Sequence, residues 1–528
     1  MNFLVGTKGL VTCQPQEEVS VFKMGDAYMY QNKPLTYISL FSCAGVGCYG
    51  FKMNGFECVA TNELLDARLS VQRANHKCKY ESGYISGDIT LPETQKQLFE
   101  EINKWKQLEG ISGIDVVMAT PPCQGMSTAN YKKTDTEQVR NSLVVEAIKL
   151  IRDIRPKVFI FENVRAFLKT ICTDVDGEDK PIEESILNNL SPDYNIFWKI
   201  INFKDYGVPS SRPRTLVIGT LKDYHNLSPL FFFPSRNQEI TLRQAIGSFS
   251  SLGYGERDRL DPLHFARVYP IEQLEWIKNL AEGQSAFEQD VEFQPGRVDE
   301  GGNKIVNKGA YMGNKYRRLT WDKVCSCIHT RNDVMSSQDT IHPSDNRVLS
   351  IRELMRVMTI PDSFLWTFYD NMLTVETASE YLKQNELNIR RCIGEAVPTQ
   401  IIKDISEKIK SHLNQYQDYS ETSSEIFHQL KDIDLVKKDT VNIQIKDKEP
   451  NINLIEQIVS LFTDKKEVNI WTNSQSLVDK ILLNLSLPSN INLLSQEYKG
   501  IPDYLISNNI LKPYTQNIQL SLFDADSY

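Results

Sequence analysis

The chain has 528 residues, 41% apolar and 24% charged, the balance of a soluble globular protein with room for two or three cores. Its net charge of −9 excludes a surface that is basic all over, and no run approaches the roughly 18 apolar residues that a membrane helix needs. Ten cysteines without a Cys-x-x-Cys pair read as reduced, buried thiols; Cys325-x-Cys327 with His329 nearby is a poor zinc site, so no metal is expected.

Residues 1–36 carry no motif and read as an N-terminal extension. The start, Met1 to Lys8, lacks the charged-then-apolar pattern of a signal sequence, so a cytoplasmic protein with no membrane partner is expected. Tyr37–Phe41 predicts a strand. The turn after it, Ser42-Cys43-Ala44-Gly45-Val46-Gly47, is built of small residues that let a ligand approach the backbone. A second strand, Cys58–Thr61, leads to Glu63, about twenty residues on, where nucleotide-binding folds set an acid against ribose hydroxyls. The full Gly-x-Gly-x-x-Gly pattern is absent, because Cys43 stands where a first glycine is expected. Asp88, before Ile89, adds an acid in a later loop.

The apolar run Ile114–Ala119 predicts a buried parallel strand. In Thr120-Pro121-Pro122-Cys123-Gln124, the two prolines block a helix and force an extended turn, which offers Cys123 at the carboxyl edge of the sheet. A thiol there is a nucleophile if its surroundings favour the thiolate, and otherwise a small buried side chain. Glu137–Ile154 predicts a helix, with Val144, Ala147, Ile148 and Ile151 on one face. Lys157–Phe161 predicts a strand ending at Glu162, either an acid at the catalytic edge or a solvated loop acid. Arg212 and Arg214 precede a strand at Thr215–Gly219 and, two apart in an extended segment, project to the same face. Strand and helix alternation over 37–222 predicts an α/β fold with a doubly wound, mainly parallel sheet.

Together these runs resemble, in matching order, the cytosine-5 DNA methyltransferase family. Phe41, Ser42, Ala44 and Gly45 resemble the methionine loop of its S-adenosylmethionine site, Glu63 its ribose-binding acid, and Asp88-Ile89 its adenine-contacting pair. Pro122-Cys123-Gln124 resembles the nucleophile loop, Glu162-Asn163-Val164 the acid that holds the target base, and Arg212 with Arg214 the paired arginines. Arg140-Asn141-Ser142-Leu143 resembles the helix start between those motifs. Arg347 to Glu353, running into Pro361-Asp362-Ser363-Phe364, resembles the late structural motif, and Gly394-Glu395-Ala396-Val397-Pro398 the final cofactor-site motif. The chain departs from the family pattern at Cys43 (usually glycine), Ser210 (usually glutamine) and Glu395 (usually asparagine).

The resemblance, which spans roughly residues 37–412, implies a Rossmann-like methyltransferase. It would use S-adenosylmethionine to methylate C5 of cytosine in a specific duplex DNA sequence. The intermediate would be covalent, between Cys123 and C6, and a restriction-modification role is implied, with a partner endonuclease left open. Cys123, Glu162, Arg212 and Arg214 are the expected catalytic set, and Glu395 and Ala396 join the expected cofactor contacts. The family's RNA-methylating branch carries a Cys-Phe-Thr run near the late motif, where this chain has Cys327-Ile328-His329-Thr330.

The resemblance also divides the chain. Residues 37–222 form the catalytic domain and 223–375 a smaller target-recognition domain, its variable reader within 225–310. Arg236, Arg243, Arg257, Arg259, Arg267 and Arg297 fall there, with Tyr254, Tyr269 and Phe293, a mixture suited to phosphate and base-edge contact. A helix over 376–414 returns to complete the catalytic domain. Residues 415–528 are expected to form an accessory domain with a strand at Val468–Trp471 and a helix-like run at Leu454–Leu461. Residues 401–528 hold 13 lysines, 18 acids and no arginine, which leaves 46 basic and 50 acidic residues in 1–400, a balance that allows one basic cleft.

Overall fold

A computed structural model describes residues 34–122, 143–224, 227–307, 312–367 and 375–415, and beyond these 440–446, 455, 467–475, 477–479, 491–496, 504–507 and 510–513. Residues 1–33 and the stretch 123–142, which contains Cys123 and Arg140 to Ser142, lie outside the described residues. The chain divides into Met1–Pro34 and Leu35–Tyr528.

The centre of the second unit is a seven-stranded sheet. Its strands are β1 (Thr36–Leu40), β2 (Glu57–Glu63), β3 (Tyr84–Ser86), β4 (Val116–Ala119) and β5 (Val158–Val164), followed, after a small hairpin of β6 (Ile171–Thr173) and β7 (Asp179–Pro181), by β8 (Tyr194–Asn202) and β9 (Pro213–Leu221). The order is β3-β2-β1-β4-β5-β9-β8, with the first five strands parallel and β9 antiparallel to both of its neighbours. The chain moves outward from β1 through β2 to β3 and then resumes on the other side of β1 with β4. The carboxyl ends of β1 and β4 therefore flank the switch point, where open α/β sheets bind their ligands.

The strands are continuous apolar runs because both faces are covered. Alternate residues of β4 serve opposite cores. Val117 and Ala119 join Phe159, Phe161 and Val217 on one face, and Val116 and Met118 join Val158, Ile160, Leu216 and Ile218 on the other. The first face is covered by the helices α3 (Pro92–Leu108), α4 (Leu143–Ile154) and α5 (Ile182–Leu190), through Leu98, Trp105, Ile148, Ile151 and Ile186. The second receives Phe51 of α1 (Tyr49–Met53) and Leu69 of α2 (Asp66–Ala74), the two helices that follow β1 and β2.

Short helices at Leu242–Ile246 (α6), Ile271–Ile277 (α7) and Ile351–Val357 (α8), and a hairpin of β10 (Gly296–Val298) with β11 (Lys304–Val306), build the region after the sheet. Its largest core gathers Leu242, Phe265, Ile328, Leu354, Trp366 and Ile393, and also takes in Ala44 and Val46 from the turn after β1. α8 begins with a capping box between Ser350 and Glu353, and the fully buried Arg347 pairs with Glu353 at 2.7 Å and Asp345 at 2.8 Å.

The single helix expected over 376–414 is two helices, α9 (Val375–Glu395) and α10 (Thr399–Gln415). Pro398 lacks the amide a continuous helix would need, and it biases Val397 toward extended backbone. The halves pack differently. Leu382, Ile389, Cys392 and Ile393 of α9 join the core of the region after the sheet, whereas Ile401, Ile402, Ile405 and Ile409 of α10 lie against the sheet itself.

The C-terminal part holds a separate five-stranded sheet, β12 (Thr440–Ile445), β13 (Glu467–Thr472), β14 (Ile491–Leu494), β15 (Tyr504–Ser507) and β16 (Ile510–Pro513), in the order β14-β13-β12-β15-β16. All its pairings are parallel except the last, and Val441, Ile443, Val468 and Ile470 are buried. Of the helix-like run 454–461 only Ile455 is described, as helical and buried.

α10 can lie on the sheet only because residue 50 has no side chain. A Cβ there would collide with the amide nitrogen of Lys403 and stand 2.8 Å from the carbonyl carbon of Ile402. Gly50→Ala is therefore expected to push α10 off α1 and to destabilise the domain by about 1–3 kcal/mol, read as a lower urea midpoint with an unchanged slope. An unaltered midpoint would show that α10 is not packed so closely.

Candidate active site

The site is built at the carboxyl edge of the parallel strands. β1 ends in a loop that the backbone adopts against its preference, since Phe41 (φ 57°) and Cys43 (φ 48°) both occupy the left-handed region without being glycine. Such positions cost on the order of 1–3 kcal/mol each and persist only where the surroundings hold them. Here Gln72 of α2 does so, its amide donating to the Cys43 carbonyl at 2.6 Å and the Ser42 hydroxyl at 2.8 Å. The Ser42 hydroxyl donates in turn to the Asn62 carbonyl at 3.0 Å, and its backbone amide reaches the same oxygen. Ala44 is buried and Gly45 turns the chain with φ 79°.

Glu63 is the last residue of β2 and is buried. Its carboxylate accepts from the backbone amides of Cys43 at 2.8 Å and Leu65 at 3.2 Å, and the Arg68 guanidinium lies 3.5 Å away. The next strand's loop carries Asp88, whose carboxylate caps the Thr90 amide at 2.9 Å, and Ile89, whose side chain is buried in the sheet–helix core.

The stem of the Cys123 loop is anchored on both sides. Thr120 donates its hydroxyl to the Phe41 carbonyl at 3.0 Å and its amide to the Leu40 carbonyl at 3.3 Å, which ties it to the β1 loop. On the other side the Asn163 side chain donates to the Pro121 carbonyl at 2.9 Å. Pro122 is the last described residue before Cys123. Sequence reasoning gives Thr120 and Asn163 no role of their own. The available signal is a polar residue at the end of β4 and another at the end of β5, because a buried amide at a strand end needs a partner.

Glu162 lies inside β5 rather than just past its end, since pairing with β9 carries the strand on to Val164. In that register Glu162 faces Leu216 and Val164 faces Arg214, so Arg214 and Glu162 are diagonal neighbours on one face. The Arg214 Nε stands 3.3 Å from Glu162 Oε1 without hydrogen-bond geometry, and that buried oxygen has no hydrogen-bond partner among the described residues. Burial raises the Glu162 carboxyl above its ordinary value, and the nearby Arg214 and Arg212 charges offset only part of the rise.

Arg212, just before β9, is held by other partners. Its guanidinium is buried and donates to the Ile328 carbonyl at 2.8 Å and the Gly394 carbonyl at 3.0 Å, with the Cys327 sulfur at 3.5 Å. It is a strut between β9 and the end of α9. Residue 394 meets the chain at 329 so closely that a Cβ would stand 2.5 Å from the His329 carbonyl carbon, which requires glycine there. The neighbouring Glu395 carboxylate sits over the β1 loop, 2.6 Å from Arg68 Nη2 and 3.5 Å from the Cys43 sulfur. Ala396 is buried beside it.

Of the six arginines expected to face nucleic acid, three are already engaged. Arg243 pairs bidentately with Asp322 at 2.7 and 2.9 Å, Arg267 with Glu386 at 2.8 Å, and Arg257 lies over the Phe265 ring at 4.6 Å. Arg236, Arg259 and Arg297 are exposed, as are Tyr254 and Phe293, while Tyr269 is buried.

Comparison with known proteins bears on this arrangement. Residues 35–411 match the model of the C-5 cytosine-specific DNA methylase family. The chain is 31% identical over 392 residues to the Type II methyltransferase M1.HgaI of Avibacterium volantium, covering 71% of this chain and 98% of that protein. It is 28% identical to the Type II methyltransferase M1.HphI of Haemophilus parahaemolyticus, over 64% of this chain and 81% of the relative. It is 25% identical to the Type II methyltransferase M.MthTI of Methanothermobacter thermautotrophicus, over 71% and 97%. The match spans the whole seven-stranded sheet, the region after it, α9 and most of α10, so the chain belongs to the C-5 cytosine-specific DNA methylase family and is a DNA (cytosine-5-)-methyltransferase.

Proposed function

We propose that this enzyme methylates C5 of a cytosine turned out of a specific duplex DNA sequence, through a covalent bond from Cys123, as the modification enzyme of a Type II restriction-modification system. The observation that carries the reading is the buried Glu162 carboxyl, raised by burial, with an oxygen that has no hydrogen-bond partner among the described residues, on a strand whose next residue anchors the stem of the Cys123 loop. A base edge would supply the partner that oxygen lacks. The names of the relatives support the restriction-modification role.

In this reading the base leaves the stack, because a ring carbon inside a duplex is covered by its neighbours and no side chain can reach it there. The Cys123 thiolate adds to C6, forming the S–C6 bond, while protonated Glu162 donates to N3 and stabilises the charge that develops there. C5 becomes electron-rich. Arg214, beside Glu162, contacts the O2 side of the ring. After C5 is methylated it loses its proton to a base, and the thiolate leaves as the C5–C6 double bond re-forms.

The family uses S-adenosylmethionine, which supplies an electrophilic methyl group on a sulfonium. The β1 loop fits it: small side chains from Ser42 to Gly45, an acid at Glu63 for ribose hydroxyls, and a one-third exposed acid at Glu395 beside the loop. Phe41, Asp88, Ile89, Pro122 and Ala396 complete the assigned cofactor contacts. Residues 225–310 read the DNA sequence, supported by the exposed Arg236, Arg259 and Arg297.

Three outcomes are expected. Duplex carrying 5-fluorocytosine at the target should trap the wild type covalently, because fluorine cannot leave as a proton, and Cys123→Ser should abolish both trapping and turnover. Methyl transfer without trapping would sink the mechanism. A carboxyl raised by burial stabilises the fold fully below the ordinary carboxylate range and loses that contribution as pH rises toward its folded value. Glu162→Gln should therefore melt later than wild type near pH 8 and alike near pH 4; identical melting at both would mean the buried charge costs nothing. Finally, a chain ending at Gln415 should methylate the same sequence as the full chain by bisulfite sequencing, because residues 401–528 are acidic and lack arginine. An altered sequence would make the tail part of the reader.

A further inference from the structure

Arg68 stands between two carboxylates beside the β1 loop. Its Nη2 is 2.6 Å from Glu395 Oε2 and its Nη1 is 3.5 Å from Glu63 Oε1. The two acids differ in what else holds them. Glu63 is buried and has two backbone amides, so its carboxylate is satisfied without the arginine. Glu395 is one-third exposed and has, besides Arg68, only the Cys43 thiol at 3.5 Å among the described residues. That thiol stays neutral: a hydrogen bond with the Cys392 thiol, and then burial, push it well above its ordinary value. Among the described residues, the charges in contact with one another at the loop are therefore those of Glu63, Arg68 and Glu395, one net negative.

The guanidinium is also incompletely matched. Its Nε is buried with no hydrogen-bond partner among the described residues. A buried donor without an acceptor is unfavourable, and for a charged group more so than for a neutral one. The site thus offers a cation with a spare donor and, at its side, an acid with solvent access. A zwitterion carrying a carboxylate and an ammonium on one carbon complements both, and it can exchange the existing ion pair for two charge-assisted ones.

We propose that Arg68 and Glu395 together read the α-amino-acid end of the cofactor, the guanidinium taking its α-carboxylate and the carboxylate its α-ammonium. The proposal rests on the S-adenosylmethionine reading of this loop and adds Arg68 to it. It also accounts for glutamate at position 395. With Arg68 opposite, a carboxylate there is paired before the ligand arrives, where an unpaired one would carry a desolvation penalty. S-adenosylmethionine, with sulfonium, ammonium and carboxylate, carries one net positive charge and so matches the loop's one net negative.

The test is calorimetric binding to the full chain of three probes: S-adenosylmethionine, S-adenosylhomocysteine and 5′-deoxy-5′-methylthioadenosine, which keeps the nucleoside and thioether but lacks the amino-acid end. Arg68→Met and Glu395→Gln should each weaken both amino-acid-bearing probes by about tenfold or more. Binding of methylthioadenosine should stay within about twofold of wild type, which also shows the variants to be folded. An equal loss for all three probes would make the pair a structural latch, and no loss for any would leave it without a role in binding; either overturns the proposal while the cofactor reading stands. If the wild type binds none of the probes, the cofactor reading falls, and this proposal with it.

Discussion

The reversal of β9 is the constraint on which the site depends. A parallel strand brings only its carboxyl end to the ligand-binding edge of the sheet. β9 runs against its neighbour, so its first residues, Pro213 and Arg214, arrive at the edge where β1, β4 and β5 finish. Nine residues of strand span roughly 30 Å, so a parallel β9 would have left Arg214 on the far side of the domain. The pairing sets Val164 against Arg214 and thereby puts a guanidinium diagonally across from Glu162. It also lengthens β5, because the last three residues of that strand find their ladder partners in Arg214, Thr215 and Leu216. The acid is consequently fixed in a strand, with its orientation set by the pleat rather than by a loop.

The strands are legible in the sequence because burial on both faces writes them as unbroken apolar runs, and the order of the motifs along the chain follows the sheet. Their ends are less legible. Glu162 reads as a residue past a strand, since a polar pair after Phe161 suggests a loop, and only the partner strand's hydrogen bonds show otherwise. The arginine pair reads as a grip for an anionic or hydrogen-bond-accepting partner, but Arg212 is engaged with carbonyls 116 and 182 residues away. No local pattern announces partners at that separation. The break between α9 and α10 is legible in Pro398, yet the apolar spacing resumes on the other side and makes the two helices read as one.

Charge follows the same division between local and distant information. A net of −9 on a DNA-modifying enzyme looks adverse when summed over the chain. In the fold many charges are already committed: Arg347 between Asp345 and Glu353, Arg243 to Asp322, Arg352 to Asp261, Arg390 to Glu386. Exposed pairs such as Arg243 with Asp322 contribute little, being screened by water and salt, while the buried Arg347 cluster would be expensive to break one partner at a time. What remains for a phosphate backbone depends on where the uncommitted lysines and arginines lie. The sum over all residues has little bearing on it, because fields beyond about 10 Å are screened at ordinary salt.

The short segment Gly394-Glu395 joins the two halves of the site through the backbone. Its first residue accepts a hydrogen bond from Arg212, the strut at the head of β9, and its second pairs with Arg68, which lies against the β1 loop. Consecutive Cα atoms are about 3.8 Å apart, so a displacement of β9 beside Glu162 cannot be taken up between these residues without moving one of the two contacts. Gly394 is further wedged against His329, where no Cβ fits. Thr120 makes a second tie from the opposite direction, with Phe41 at one end and, through Pro121, Asn163 at the other. The acid beside Arg214 and the β1 loop are thus held to a common frame by two straps, one through the Arg212–Gly394 hydrogen bond and the Glu395–Arg68 ion pair, the other through hydrogen bonds to the carbonyls of Phe41 and Pro121. The carbonyl bonds fix position without depending on the identity of the residue that supplies the oxygen, whereas the link to Arg68 uses the Glu395 carboxylate, so that strap depends on a position at which the chain departs from the family pattern.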